Sequence, residues 1–129
     1  MTTAWSHLPN AKYIDLALES LKSHPLLWTD AWNKTYPNGP PAALDAALGA
    51  AWNATRNAVW VAAVDATWAA AVDATRDAIL ALIAYDDCGY MLESDVDELR
   101  ILAAFGDPRA ILLVPACLAF SMIKSQEFA

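Results

Sequence analysis

The sequence predicts an all-α fold, a compact helical bundle of five or six helices with an Ala-rich central helix or helix pair. Three observations predict it. Alanine recurs at every fourth residue without a break from Ala46 to Ala78. Apolar residues in the flanking stretches recur at three- and four-residue spacing, the period of a helix. Runs of β-branched residues are few, and the seven prolines and four glycines argue against sheet. At 129 residues, with 57% hydrophobic and 18% charged, the chain fits one domain, 1–129, with enough apolar material for a core. Much of that material is alanine, which buries little area and calls for closely spaced helices.

Asn10 is a good N-cap for a helix over 11–23, in which Tyr13, Ile14, Ala17, Leu18 and Leu21 form the apolar stripe. Lys12, Asp15, Glu19 and Lys22 fall on the water side. His24-Pro25 ends it, because the residue before proline avoids the α region. A short helix over 26–34 follows, with Trp28 and Trp32 one turn apart, and 36–41 reads as a loop around Pro37, Gly39, Pro40 and Pro41.

The repeat occupies 42–85. Its unit is Asp/Asn–Ala–Ala/Thr–large, with Leu48, Trp52, Arg56, Trp60, Val64, Trp68, Val72, Arg76 and Leu80 in the bulky column. Four residues advance about 400° on an α-helix, so each column drifts about 40° per repeat. The alanine column therefore cannot keep to one face. A single helix over 42–84 would be about 65 Å long, more than a domain of this size is wide. A break or sharp bend near 59–64 is expected, with a continuous helix in an elongated dimer as the alternative. Trp52 and Trp60 flank Arg56 at cation–π spacing, and most of the six Trp are expected in the core.

Gly89 offers a stop beyond the repeat. Ser94, with Asp97 three residues on, resembles a capping box opening a helix over 95–105, where Val96, Leu99, Ile101, Leu102 and Phe105 are apolar. Gly106 suits a C′ position, and Asp107-Pro108 pairs an N-cap with an N1 proline. The last helix, 108–124, is nearly continuous in apolar residues, is expected at the centre of the bundle, and should kink near Pro115.

The net charge of −7 is concentrated in one place. Residues 85–98 hold Asp86, Asp87, Glu93, Asp95, Asp97 and Glu98 and no basic residue, while the rest of the chain nearly cancels. Direct nucleic-acid binding, which needs Lys and Arg against phosphate, is not expected. Tyr85, Asp86, Asp87 and Tyr90, with Glu93, Asp95, Asp97 and Glu98, form a candidate partner-binding surface, Tyr anchors rimmed by acids. The plainer reading of the same residues is a helix terminus with solvated carboxylates.

No catalytic, cofactor-binding or metal-ligating residue can be assigned. Cys88 and Cys117 lack framework spacing and read as free thiols, and with His7 and His24 they lack zinc-module spacing. Asp73 and Asp77 lie one turn apart but outside any paired-carboxylate motif of the metal-dependent pyrophosphohydrolases; they read as surface positions of the repeat, with Arg76 in reach of Asp73. No glycine-rich phosphate loop, signal-peptide pattern or run of about 20 apolar residues is present. A cytoplasmic location and no membrane association follow as expectations.

The tetrads from Asp45 to Leu80 resemble those of alanine-rich, small, uncharacterised proteins of bacteriophages and bacterial mobile elements, and the segments Ala81 to Cys88 and Phe105 to Ala110 have a similar character. The resemblance implies a phage source, hence the host-cell cytoplasm, and an accessory role; it transfers no site residues. Three functions are therefore expected, in this order. The first is a non-enzymatic protein-binding module that binds or inhibits a host protein, such as a defence nuclease, through its acidic patch. The second is a virion or assembly component that self-associates, as a homodimer or more, through the repeat helix. The third is a small metal-dependent hydrolase.

Overall fold

A computed structural model describes residues 5–54 and 73–127. Among these residues there are six α-helices and no strand. The expected break near 59–64 and the stacking of Arg56 on Trp60 lie outside the described residues.

The chain enters through a tight turn in which Trp5 and Leu8 are buried and Trp5 Nε1 donates to Asp15 Oδ1 at 2.9 Å. Helix α1 (Ala11–Ser23) follows, burying Ile14, Ala17 and Leu21 and turning its Lys, Asp and Glu residues to water. The backbone N–H of His24 closes its last turn on Ser20 O at 2.8 Å, and Pro25 then starts helix α2 (Pro25–Thr35) from its N1 position, where a missing N–H costs nothing. Trp28 of α2 is fully buried; its Nε1 donates to Ser20 Oγ at 2.8 Å and its ring meets Phe120 edge-on at 5.7 Å.

The repeat supplies helix α3 (Ala42–Ala54) and helix α4 (Asp73–Ala84). The two helices bury different columns of the repeat. Ala46 and Ala50 are exposed on α3, while Ala74 and Ala78, from the same column, are at 0% exposure on α4. Helix α3 turns Leu44, Ala47 and Ala51 inward instead, which leaves Trp52 49% exposed. Helix α4 is buried on nearly all sides, through Ala74, Ala78 and the unbroken run Ile79–Ile83. That environment corrects one expectation. Asp77 is not a surface residue of the repeat but is buried, at 8% exposure. Its charge, after the larger effect of burial itself, helps push the Tyr36 hydroxyl up to about 12.

The end of α4 is served from a distance. The carbonyls of a last helical turn have no partner within the helix. Asn10 Nδ2 donates to Leu82 O at 3.1 Å and to Tyr85 O at 2.6 Å, and the Cys88 thiol is shared between Ala81 O and Tyr85 O at 3.5 and 3.3 Å. The side chain of Asn10 thus makes no hydrogen bond to the N-terminus of α1, contrary to the cap expected there. Gly89 sits against this junction: a Cβ on it would overlap the Tyr13 ring and lie 2.6 Å from Asn10 Oδ1.

A 3₁₀ turn (Gly89–Glu93) buries Met91 and Leu92 and leads into helix α5 (Val96–Ala104). The cap of α5 is Asp95, whose carboxylate accepts from Asp97 N at 2.9 Å and Glu98 N at 3.2 Å. Ser94, expected in that role, instead donates from Oγ to Tyr90 O at 3.2 Å. At the other end, Gly106 adopts φ +89°, and the bonds Gly106 N to Ala103 O (3.0 Å) and Asp107 N to Leu102 O (3.2 Å) make a Schellman closure.

Helix α6 (Pro108–Glu127) runs through Pro115 and packs on α2, α3, α4, α5 and the 3₁₀ turn, so it is the central helix. Leu112, Leu113, Ala116 and Ala119 are all fully buried. By length and composition its stretch Pro108–Gln126 could cross a membrane, but half of that stretch is buried by the protein's own helices.

Candidate interaction surface

The acidic segment leaves the end of α4, crosses the 3₁₀ turn and enters the first turn of α5. Asp86, Asp87, Glu93, Asp95, Asp97 and Glu98 all face solvent. Tyr90 is 57% exposed among them, whereas Tyr85 is half-buried, with its carbonyl engaged by Asn10 and Cys88. Burial, followed by the nearby Cys88 and Asp107, raises the Tyr85 hydroxyl above its ordinary range. Of the two expected Tyr anchors, Tyr90 is thus the more open to a partner.

Two arginines reach into the segment from outside it. Arg109, in the first turn of α6, grips Asp107 through Nε to Oδ1 (3.2 Å) and Nη2 to Oδ2 (3.0 Å), and reaches Asp87 Oδ1 with Nη1 at 3.0 Å. The forked bond from Arg109 holds the Asp107 carboxyl below its usual range, with further help from the backbone N–H groups of Arg109 and Ala110. Arg100 meets Asp97 at 3.2 Å one turn along α5, with both groups largely exposed, a geometry worth little in stability. Among the described residues, Asp86, Glu93, Asp95 and Glu98 make no ion pair. The surface therefore keeps a net negative field after its internal pairing.

Beside it lies an apolar feature that the sequence did not separate from the core. At about 100° per residue, Val96, Leu99 and Ala103 share one arc of α5, and Ile101, Leu102 and Phe105 share the opposite one. Only the first arc is turned inward. Leu99 is buried, while Ile101 is 57%, Leu102 40% and Phe105 85% exposed. The signal was present in the sequence as two apolar arcs on one nine-residue helix, too much for a single buried stripe. Glu98 falls on the same outer arc. Two shallow apolar cavities of about 310 and 370 Å³ run between α3 and the α5–α6 corner, sharing Ala43 and Ile111 in their walls and touching Ala103, Ala104 and Gly106 beside Phe105.

The two thiols that could carry covalent chemistry lie beneath this segment and are buried. Burial pushes the Cys88 thiol up to about 12 and the Cys117 thiol up to about 11. Both are free and buried, and Cys117 Sγ points at Ser94 O at 3.1 Å. A thiol so raised stays protonated near neutral pH and is a poor nucleophile. Among the described residues, no three His, Cys, Asp or Glu side chains converge as metal ligands would.

Comparison with protein-family models, with curated proteins and with solved structures returns no match.

Proposed function

We propose that the protein is a non-enzymatic protein-binding module, an accessory protein of phage type that binds and blocks a host protein through the acidic surface of residues 85–98. The observation that carries this reading is the exposure of all six acids, four of them in no ion pair among the described residues, around a Tyr90 that is itself more than half exposed. Isolated solvated carboxylates are ordinary; a net negative surface with an exposed aromatic among its acids favours a partner of opposite charge. Proteins that handle nucleic acid present such basic grooves, which makes a defence nuclease the favoured class of target.

The test is affinity capture from a bacterial host lysate at low and moderate salt. It compares the native chain with a variant carrying Asp86→Asn, Asp87→Asn, Glu93→Gln, Asp95→Asn, Asp97→Asn and Glu98→Gln. Asparagine at 95 keeps a capping side chain, so the variant retains α5. The reading expects a specific partner whose capture is lost in the variant and weakens with salt. Capture that is unchanged by neutralisation overturns it.

A second reading, self-association as an assembly component, has one observation in its favour: Ala43, Ala46 and Ala50 leave α3 with a smooth exposed side. Small residues allow close helix approach. Light scattering at high concentration tests it, and a strict monomer rules it out.

A further inference from the structure

We infer that the outer face of α5, made by Ile101, Leu102 and Phe105, docks an amphipathic helix of the partner that carries Lys or Arg beside its apolar stripe. The inference rests on the protein-binding reading above and names the partner's chemistry. Three large apolar side chains on one arc are 57%, 40% and 85% exposed, and folding gains nothing from leaving them in water. The arc is about 100° wide, the width of the apolar stripe on an amphipathic helix.

Charge selects the occupant. Capping accounts for Asp95, and the helix dipole favours Asp97 and Glu98 in a first turn. Neither accounts for Glu93 or Asp86, nor for the apolar arc next to them. A helix lying along Ile101, Leu102 and Phe105 would bring its flanks over Glu98 and the acids preceding it, where cations are favourable and carboxylates are not. A second copy of this chain fits poorly. The six acids of 85–98 outnumber its nearby cations, Arg100 and Arg109, and Arg109 is already held by Asp87 and Asp107, so the copy would add acids to acids. An anionic membrane surface is disfavoured for the same reason, since interfacial helices carry basic flanks.

The probe is a fluorescently labelled synthetic helix of Leu at i, i+3, i+4 and i+7 with Lys on its flanks, and the same helix with Glu for Lys. Binding to the full chain is read by anisotropy at two salt concentrations. The inference expects the Lys helix to bind and the Glu helix not to. Phe105→Ser and Ile101→Ser are each expected to weaken binding about ten-fold or more, about 1.4 kcal/mol, with an unchanged circular-dichroism melt. Leu26→Ser, at a distant exposed leucine (80%), leaves binding alone. Equal binding of the two helices, or binding indifferent to Phe105→Ser and Ile101→Ser, overturns it. So does a dimer that Phe105→Ser dissolves, or binding of the chain to phosphatidylserine vesicles through the same residues. Should lysate capture fail in the acid-neutralised chain yet survive Phe105→Ser, the acidic-surface reading stands and the α5 docking face falls. Should capture survive both changes, the two fall together.

Discussion

The amide of Asn10 illustrates how one side chain can decide a junction. Its Nδ2 serves two carbonyls at the end of α4 from 72 and 75 residues away, and Asn10 is only 4% exposed. Truncation by Asn10→Ala leaves those carbonyls with fewer donors in a dry place and is expected to cost about 1–3 kcal/mol. Asn10→Asp is nearly the same shape but replaces a donor with an acceptor, and a charged one, facing carbonyl oxygens. It is expected to be the worse of the two at neutral pH and to recover partly as the carboxyl protonates in acid. Urea unfolding of both variants at pH 7 and pH 4 checks the order; Asn10→Asp milder than Asn10→Ala at pH 7 would show that packing, not donation, is what matters. That role was not legible in the sequence. A local window identifies Asn10 as an N-cap candidate, and it does precede α1, but no window contains Leu82.

Helix ends were more legible where their signals are local. Pro25, Gly106 and the Asp107-Pro108 pair delimit α2, α5 and α6, because the missing N–H of proline, the positive φ of Gly106 and the short reach of an aspartate act within one or two residues. The start of α5 was legible only to within one position. Ser94 and Asp95 are both good caps, and the choice depends on the 3₁₀ turn, which fixes Ser94 on Tyr90 O and leaves Asp95 extended at φ −66°, ψ 130°. Asp95→Ala is therefore expected to destabilise the protein by about 1 kcal/mol, Asp95→Asn by much less, and Ser94→Ala by little. Thermal melts of the three variants distinguish them, and an effect of Ser94→Ala matching that of Asp95→Ala would return the cap to Ser94. The burial of α5 was not legible, since two apolar arcs on one helix leave the choice of inner face to its neighbours. Leu99 packs inward and Phe105 does not, an outcome of where α6 and the 3₁₀ turn lie.

At the scale of the molecule, the all-α architecture followed from apolar periodicity and the central place of α6 from its nearly continuous apolar run, while the fate of single polar groups inside the bundle did not follow from either. Asp77 belongs to the polar column of the repeat yet is buried, whereas Asp45 of the same column is exposed on α3, because α4 is covered on nearly all sides and α3 on one. Several groups inside the bundle share one electrostatic consequence. Cys88 is raised to about 12, Cys117 to about 11 and Tyr36 to about 12, in each case mainly by burial. An unfolded cysteine releases its proton near 8.5 and an unfolded tyrosine near 10. Between those values and the folded ones the unfolded chain holds fewer protons, so stability is complete below about pH 8.5 and declines as pH rises toward 11 to 12. Each fully unfolded-ionised, folded-neutral group contributes a slope of at most about 1.4 kcal/mol per pH unit. The two thiols, at 0% and 1% exposure, enter first and act together between about pH 9 and 11. Urea unfolding at pH 8, 9, 10 and 10.5 is expected to show falling stability in the native chain and a much flatter profile in a Cys88→Ala, Cys117→Ala double variant. The variant starts lower at pH 8, because Cys88 no longer serves the carbonyls of Ala81 and Tyr85, and the two profiles converge as pH rises. Parallel profiles would mean that the thiols ionise equally in both states, and that the interior around α4 and α6 is wetter than its packing indicates.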